Sequence, residues 1–92
     1  MNNLNSVLLE GKIYVDCDFY KRNTFGLVSK RFFKEDGKLQ EEQFYIDIYI
    51  NDKISTQCKI GREVRIVGRL KNVEKPAGIQ SVAIEAEHIE FR

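Results

Sequence analysis

Ninety-two residues are enough for one small domain, spanning 1–92, and too few for two. Fifteen Lys and Arg against fourteen Asp and Glu leave a formal charge of +1. That total excludes a uniformly basic surface, so the distribution of charge carries more information than its sum. A core of this size is modest, and association into oligomers would add stability. No apolar run approaches the length of a membrane span, and Met1-Asn2-Asn3 does not open a signal peptide. Cys17 and Cys58 lack metal-ligand spacing, and the single His88 cannot complete a zinc site. Two reduced thiols in a cytosolic protein are expected, with no metal and no cofactor.

The charges are sorted along the chain. From Phe19 to Lys34 there are five cations, Lys21, Arg22, Lys30, Arg31 and Lys34, and no acid. Acids gather at Glu35, Asp36, Glu41 and Glu42, then at Glu85, Glu87 and Glu90.

Asn3 to Tyr14 reads as a first strand with Val7, Leu9, Gly11 and Ile13 on one face and Leu8 on the other. Apolar residues on both sides suggest a second layer, such as another subunit. Gly11 suggests a bend. Asp16-Cys17-Asp18 and Lys21-Arg22-Asn23 read as a connection. Phe25 to Phe33 is a second strand. Asp36-Gly37 follows it, a strong hairpin signal between strand-like runs. Gln43 to Asn51 is a third strand, with Phe44, Ile46, Ile48 and Ile50 inward and Tyr45, Asp47 and Tyr49 outward. Exposed Tyr is common in strands through propensity alone. Asp52 can cap a short helix running to about Ile60, with Ile54 and Cys58 on one face.

Ile60 to Lys71 is a turn followed by a fourth strand. Val64, Ile66, Gly68 and Leu70 share one face; Arg65, Val67, Arg69 and Lys71 share the other. Gly68 calls for a bend or a close backbone approach. The cationic face is either a binding surface or an ordinary solvated one. Asn72 to Gly78 reads as a loop. Gln80 to Phe91 is a fifth strand whose inward phase switches between Ala86 and Ile89, so a bulge near Glu87-His88 is expected. Five strands with one short helix between the third and fourth form the order of an all-β, antiparallel OB-fold barrel, whose second and third strands bind oligonucleotides or sugars.

The opening MNNLNSVLLEGK, then RFFKEDGKLQEE, YIDIYINDKIS, GREVRIVGRLK and AIEAEHIEF together resemble bacterial single-stranded DNA-binding proteins, in that family's order and over nearly the whole chain. The resemblance implies a homodimer or homotetramer that binds single-stranded DNA by stacking and by Lys/Arg–phosphate contacts. It implies a cytoplasmic, nucleoid-associated role in replication, recombination or repair, with replication or repair proteins as partners and no membrane. Phe33, just before KEDG, stands where the family has an aromatic, and Tyr45, two before Asp47, matches another. A third aromatic, just before the helix, is replaced by Asn51-Asp52-Lys53, and the loop from Asn72 to Gly78 lacks the fourth. The family's acidic, apolar-ended tail has no counterpart before Arg92, so the chain is either a tailless relative or one whose tail was removed. A second resemblance is to the primosomal replication protein N, a tailless dimer of this fold, which implies an interaction module with weak nucleic-acid binding.

The expected nucleic-acid-binding residues are Lys30, Arg31, Phe33, Lys34, Tyr45, Tyr49, Lys53, Arg65, Arg69 and Lys71. Phe32 and Phe33 are adjacent and point opposite ways in a strand, so either can face the ligand. Stacking contributes about 1–3 kcal/mol per base and tolerates any sequence. No Gly-rich phosphate loop or nucleophile setting is present, so an enzyme is not expected. His88, beside the expected bulge, reads as a partly buried or interface residue.

Overall fold

The computed structural model describes residues 5–20, 23–51, 57–74 and 80–92. Its elements are β1 (Val7–Val15), α1 (Cys17–Tyr20), β2 (Thr24–Glu35), β3 (Lys38–Tyr49), β4 (Glu63–Glu74) and β5 (Gln80–Phe91). The strands form a closed barrel in the order β1-β2-β3-β5-β4. Neighbours run antiparallel except β3 and β5, which pair in parallel through Ile48↔Ile84 and Tyr49↔Glu85. The expected antiparallel barrel thus closes across one short parallel seam.

Alternation along the strands fills the interior. Ile13, Phe25, Leu27, Ile48, Val64, Ile66 and Ile84 are buried together, joined by Cys17 and Cys58. β1 serves both edges: it pairs with β4 over Val7–Lys12 and with β2 over Lys12–Val15. The handover comes at Gly11, where a Cβ would strike the Val28 carbonyl oxygen. Only a residue without a side chain lets the two strands cross so closely. The expected bulge in β5 is present: Val67 faces His88 and Gly68 faces Ala86, leaving Glu87 as the extra residue. The extra residue turns the phase, so that Ile89 and Phe91 pack against the core after Ile84 and Ala86.

Two hairpins run past the barrel. The β2–β3 register is unbroken from Thr24↔Tyr49 to Glu35↔Lys38. Its turn, Asp36-Gly37, has φ of 52° and 75°, the backbone of a two-residue hairpin turn with positive φ at both positions. β3 therefore begins at Lys38, not Gln43, and β4 extends to Glu74 into the segment read as a loop. Phe44 and Leu70, expected inward, are 38% and 48% exposed, and Val82 is 52% exposed. They keep the inward phase of their strands. The Cα radius of gyration is 14.5 Å, against about 12 Å for a compact chain of this length.

The expected helix between the third and fourth strands falls largely on residues 52–56, outside the described residues. Residues 57–60 hold no α-helix. The helix among the described residues is instead α1, one turn in the segment read as a connection. It buries Cys17 in the core, and the Lys59 ammonium donates to the Asp18 carboxylate at 3.0 Å. Burial pushes the Cys58 thiol up to about 12, with neighbouring Cys17 adding to the rise. Cys17 is also raised by burial, partly offset by its hydrogen bond to Cys58. Neither thiol is in a disulfide.

Candidate nucleic-acid interface

The outward face of the β2–β3 ladder is a continuous strip. Successive pairs Gly26↔Asp47, Val28↔Tyr45, Lys30↔Gln43, Phe32↔Glu41 and Lys34↔Leu39 share it, since alternate pairs of a ladder lie on one face. Tyr45 is 59% exposed and Phe32 62%. Tyr49, Tyr45 and the Phe32–Glu41 pair lie about 13 Å apart in turn at the usual strand rise. Phe33, the expected stacking residue, falls on the other face with Arg31, whose guanidinium sits 4.6 Å from its ring centroid. With an unbroken register, the aromatic that shares the Tyr45 face is Phe32.

Tyr14, which the sequence reading passed over, joins this strip from β1. The β1–β2 register shifts between Ile13 and Val15, so Tyr14 is a bulged residue. A bulge re-aims its side chain, and the Tyr14 ring lies over Gly26, where a Cβ would come within 2.6 Å of it. Its ring meets Tyr45 edge to face, with centroids 4.9 Å apart and planes at 69°. The Tyr45 hydroxyl donates to the Gln43 side-chain Oε1 at 3.2 Å. At the far end, the Lys71 ammonium lies 4.8 Å from the Tyr49 ring centroid, an attractive cation–π placement.

The expected cations divide. Lys30, Lys34 and Lys71 belong to the aromatic face. Arg31 lies on the opposite face of the hairpin. Arg65 lies in the β1–β4 seam, its Nε donating to Glu10 at 2.8 Å. Arg69 donates to Glu87 at 3.0 Å, and this bond raises its pKa. Lys53 lies outside the described residues. Carboxylates accompany most of the set: Lys30 is 3.6 Å from Glu41, Arg31 2.9 Å from Glu42 and Lys71 3.7 Å from Glu85. Lys34 has no ion-pair partner among the described residues. Such exposed pairs contribute about 0–1 kcal/mol each, weak enough for a phosphate to displace the acid.

A second concavity, lined by Glu10, Lys12, Val28, Lys30, Glu63 and Arg92, holds charges of both signs and no aromatic ring. His88 is exposed on the outer face opposite Val67. No cluster of metal-ligating side chains occurs among the described residues.

The described residues can therefore offer bases stacking surfaces and offer phosphates ammonium groups. No protein-family model matches the sequence, and no curated protein matches it. Solved structures do. A Plasmodium falciparum single-stranded DNA-binding protein in complex with single-stranded DNA is similar at a TM-score of 0.80 and 18% identity, over 100% of this chain and 97% of that one. A small single-stranded DNA-binding protein from Mycoplasma pneumoniae is similar at 0.60 and 26% identity, over 96% and 93% of the two chains. The dimeric N-terminal domain of PriB protein from Thermoanaerobacter tencongensis is similar at 0.60 and 19% identity, over 96% of each. Across nearly its full length, the chain has the OB-fold barrel of short single-stranded DNA-binding proteins.

Proposed function

We propose that this protein binds single-stranded DNA without sequence specificity, by stacking bases on Tyr45, Tyr49 and Phe32 and by drawing phosphates to Lys30, Lys34 and Lys71. The observation that carries the reading is the strip of aromatics, Tyr45 and Phe32 exposed and Tyr49 half-buried, on the outward face of β2 and β3, the ligand-binding face of this fold. Stacking without base-edge hydrogen bonds tolerates any sequence. The role is non-enzymatic and belongs to replication, recombination or repair, in a bacterial cytoplasm. The test is a titration of fluorescent oligo-dT at low and high salt beside duplex of equal length. Oligo-dT should bind much more tightly, with affinity falling as salt rises. Equal affinity for duplex would mean charge attraction alone and end the stacking reading.

A second reading has its own support. Carboxylates stand beside Lys30, Arg31, Arg69 and Lys71, which weakens the field a polyanion meets and suits a protein-interaction module of a replication or primosome complex. No oligo-dT binding at low salt would favour it. Under either reading the protein works as a homodimer or homotetramer. The outer β1–β4 face supports this: Leu8, 66% exposed, is paired across the ladder with Val67, 37% exposed.

A further inference from the structure

We propose that Tyr14 is a positioning residue, which holds the Tyr45 ring in one orientation before a base arrives. The proposal rests on the stacking reading above. An exposed Tyr on an open sheet turns about two side-chain torsions and must give up that freedom when a base stacks on it. Tyr45 is restrained at two points. Its hydroxyl is tied to Gln43, and its ring meets Tyr14 in an edge-to-face arrangement, a favoured geometry for two aromatic rings.

Tyr14 can do this only because three features coincide. The bulge between Ile13 and Val15 sends its side chain across the β1–β2 boundary. Gly26 leaves the room in which the ring lies, since its missing Cβ would come within 2.6 Å of the ring. Val28, partnered with Tyr45 across the ladder, sets Tyr45 two residues along from that room. The bulge, the glycine and the ring pair come from three different strands and converge on one contact. A core function for Tyr14 does not account for this, because the residue is 37% exposed and its ring lies against Gly26 and Tyr45 and not among the buried core residues.

The expected effect is the ordering cost of one side chain, about 2- to 10-fold in affinity. Oligo-dT titrations with Tyr14→Ala, Tyr14→Phe, Gly26→Ala, Tyr45→Ala and the Tyr14→Ala/Tyr45→Ala double variant test it, with each fold checked by circular dichroism. Tyr14→Ala should weaken binding within that range, and Tyr14→Phe, which keeps the ring, should restore it. Gly26→Ala, which pushes the ring aside, should behave like Tyr14→Ala. In the Tyr45→Ala background, Tyr14→Ala should add nothing, because the ring it positions is gone. In fluorine NMR of the free protein labelled with 3-fluorotyrosine, the Tyr45 resonance should move when Tyr14 is replaced. If Tyr14→Ala loses the fold, Tyr14→Leu, which covers Gly26 without an aromatic edge, carries the same test. The proposal is overturned if Tyr45→Ala weakens binding and Tyr14→Ala does not, or if Tyr14→Ala keeps its full penalty in the double variant. If Tyr45→Ala itself leaves binding unchanged, the stacking function falls and this role falls with it.

Discussion

Phe32 and Phe33 are neighbours in sequence with opposite prospects. Phe32→Ala should weaken oligo-dT binding by about 1–3 kcal/mol, whereas Phe33→Ala should change it little, because Phe33 lies under Arg31 on the other face. A titration in which Phe33→Ala is the damaging change would place the binding surface on the Arg31–Phe33 face instead. The choice was legible in the sequence. Once Asp36-Gly37 is a two-residue turn, partners satisfy a fixed sum, Val28 falls opposite Tyr45, and Phe32 follows Val28 on the same face. The resemblance points to Phe33, one residue later and on the other face. Tyr14 was not legible in this way, because Ile13 and Val15 continue one apolar phase in β1, with no switch to mark the bulge as there is between Ala86 and Ile89 in β5. Cys58 carries a second expectation. Its thiol is held protonated in the folded barrel up to about 12, but ionises near its ordinary 9.0 when unfolded. The stability linked to that burial is whole below about pH 9 and is lost as pH rises from there towards 12. Urea midpoints measured across that window should fall, and should fall less steeply in Cys58→Ala, even if that variant starts from a lower stability.

The β2–β3 hairpin is where charge and shape meet. The turn ends of both strands run further than alternation marks, for one physical reason. Alternation of apolar and polar residues marks a strand only where one of its faces is buried, and Lys38 to Gln43 project beyond the barrel. Within it, Phe25, Leu27, Ile46 and Ile48 announced themselves by period; beyond it, only the Asp36-Gly37 turn did. The cations of this hairpin face acids across the ladder: Lys30 has Glu41 and Arg31 has Glu42. Removing an acid should therefore help binding. Glu41→Gln should tighten oligo-dT binding, and should steepen log K against log salt by about 0.7 if Lys30 then holds a phosphate. An unchanged slope would place the phosphates away from Lys30. The helix before β4 was read from Asp52 as a cap, whereas α1 was missed, since four residues are too few to show a helical period.

The barrel itself was the most legible feature, because five strands in one small domain, with Gly11, Gly26 and Gly68 inside them, leave few alternatives to a closed sheet. What the sequence could not place is how the seams fall, since pairing between distant strands leaves no local trace. The β1–β4 seam exposes Leu8 and Val67, and its charges are already satisfied, Glu10 receiving both Arg65 and Arg92. Leu8→Asp should dissociate the protein to monomers in light scattering at about 50 µM, where a stable dimer would be well populated. An unchanged mass would move the subunit contact to another face.

The parallel seam has a different consequence. Two residue pairs join β3 to β5, whereas β2–β3 and β4–β5 are long hairpins whose partners lie near one another along the chain. Hairpins close small loops and form early; a junction between remote segments must wait for them. The barrel is therefore two quickly made ribbons strapped together by β1, with a two-rung latch as the last and first thing to move. Amides at that latch should exchange with solvent by local opening, well before those in the middle of either ribbon. Uniform protection around the barrel would show that it opens only as a whole. Because Tyr49 is one rung of the latch and also a proposed stacking residue, a strand laid across it would bridge the junction, and exchange there should slow when oligo-dT binds.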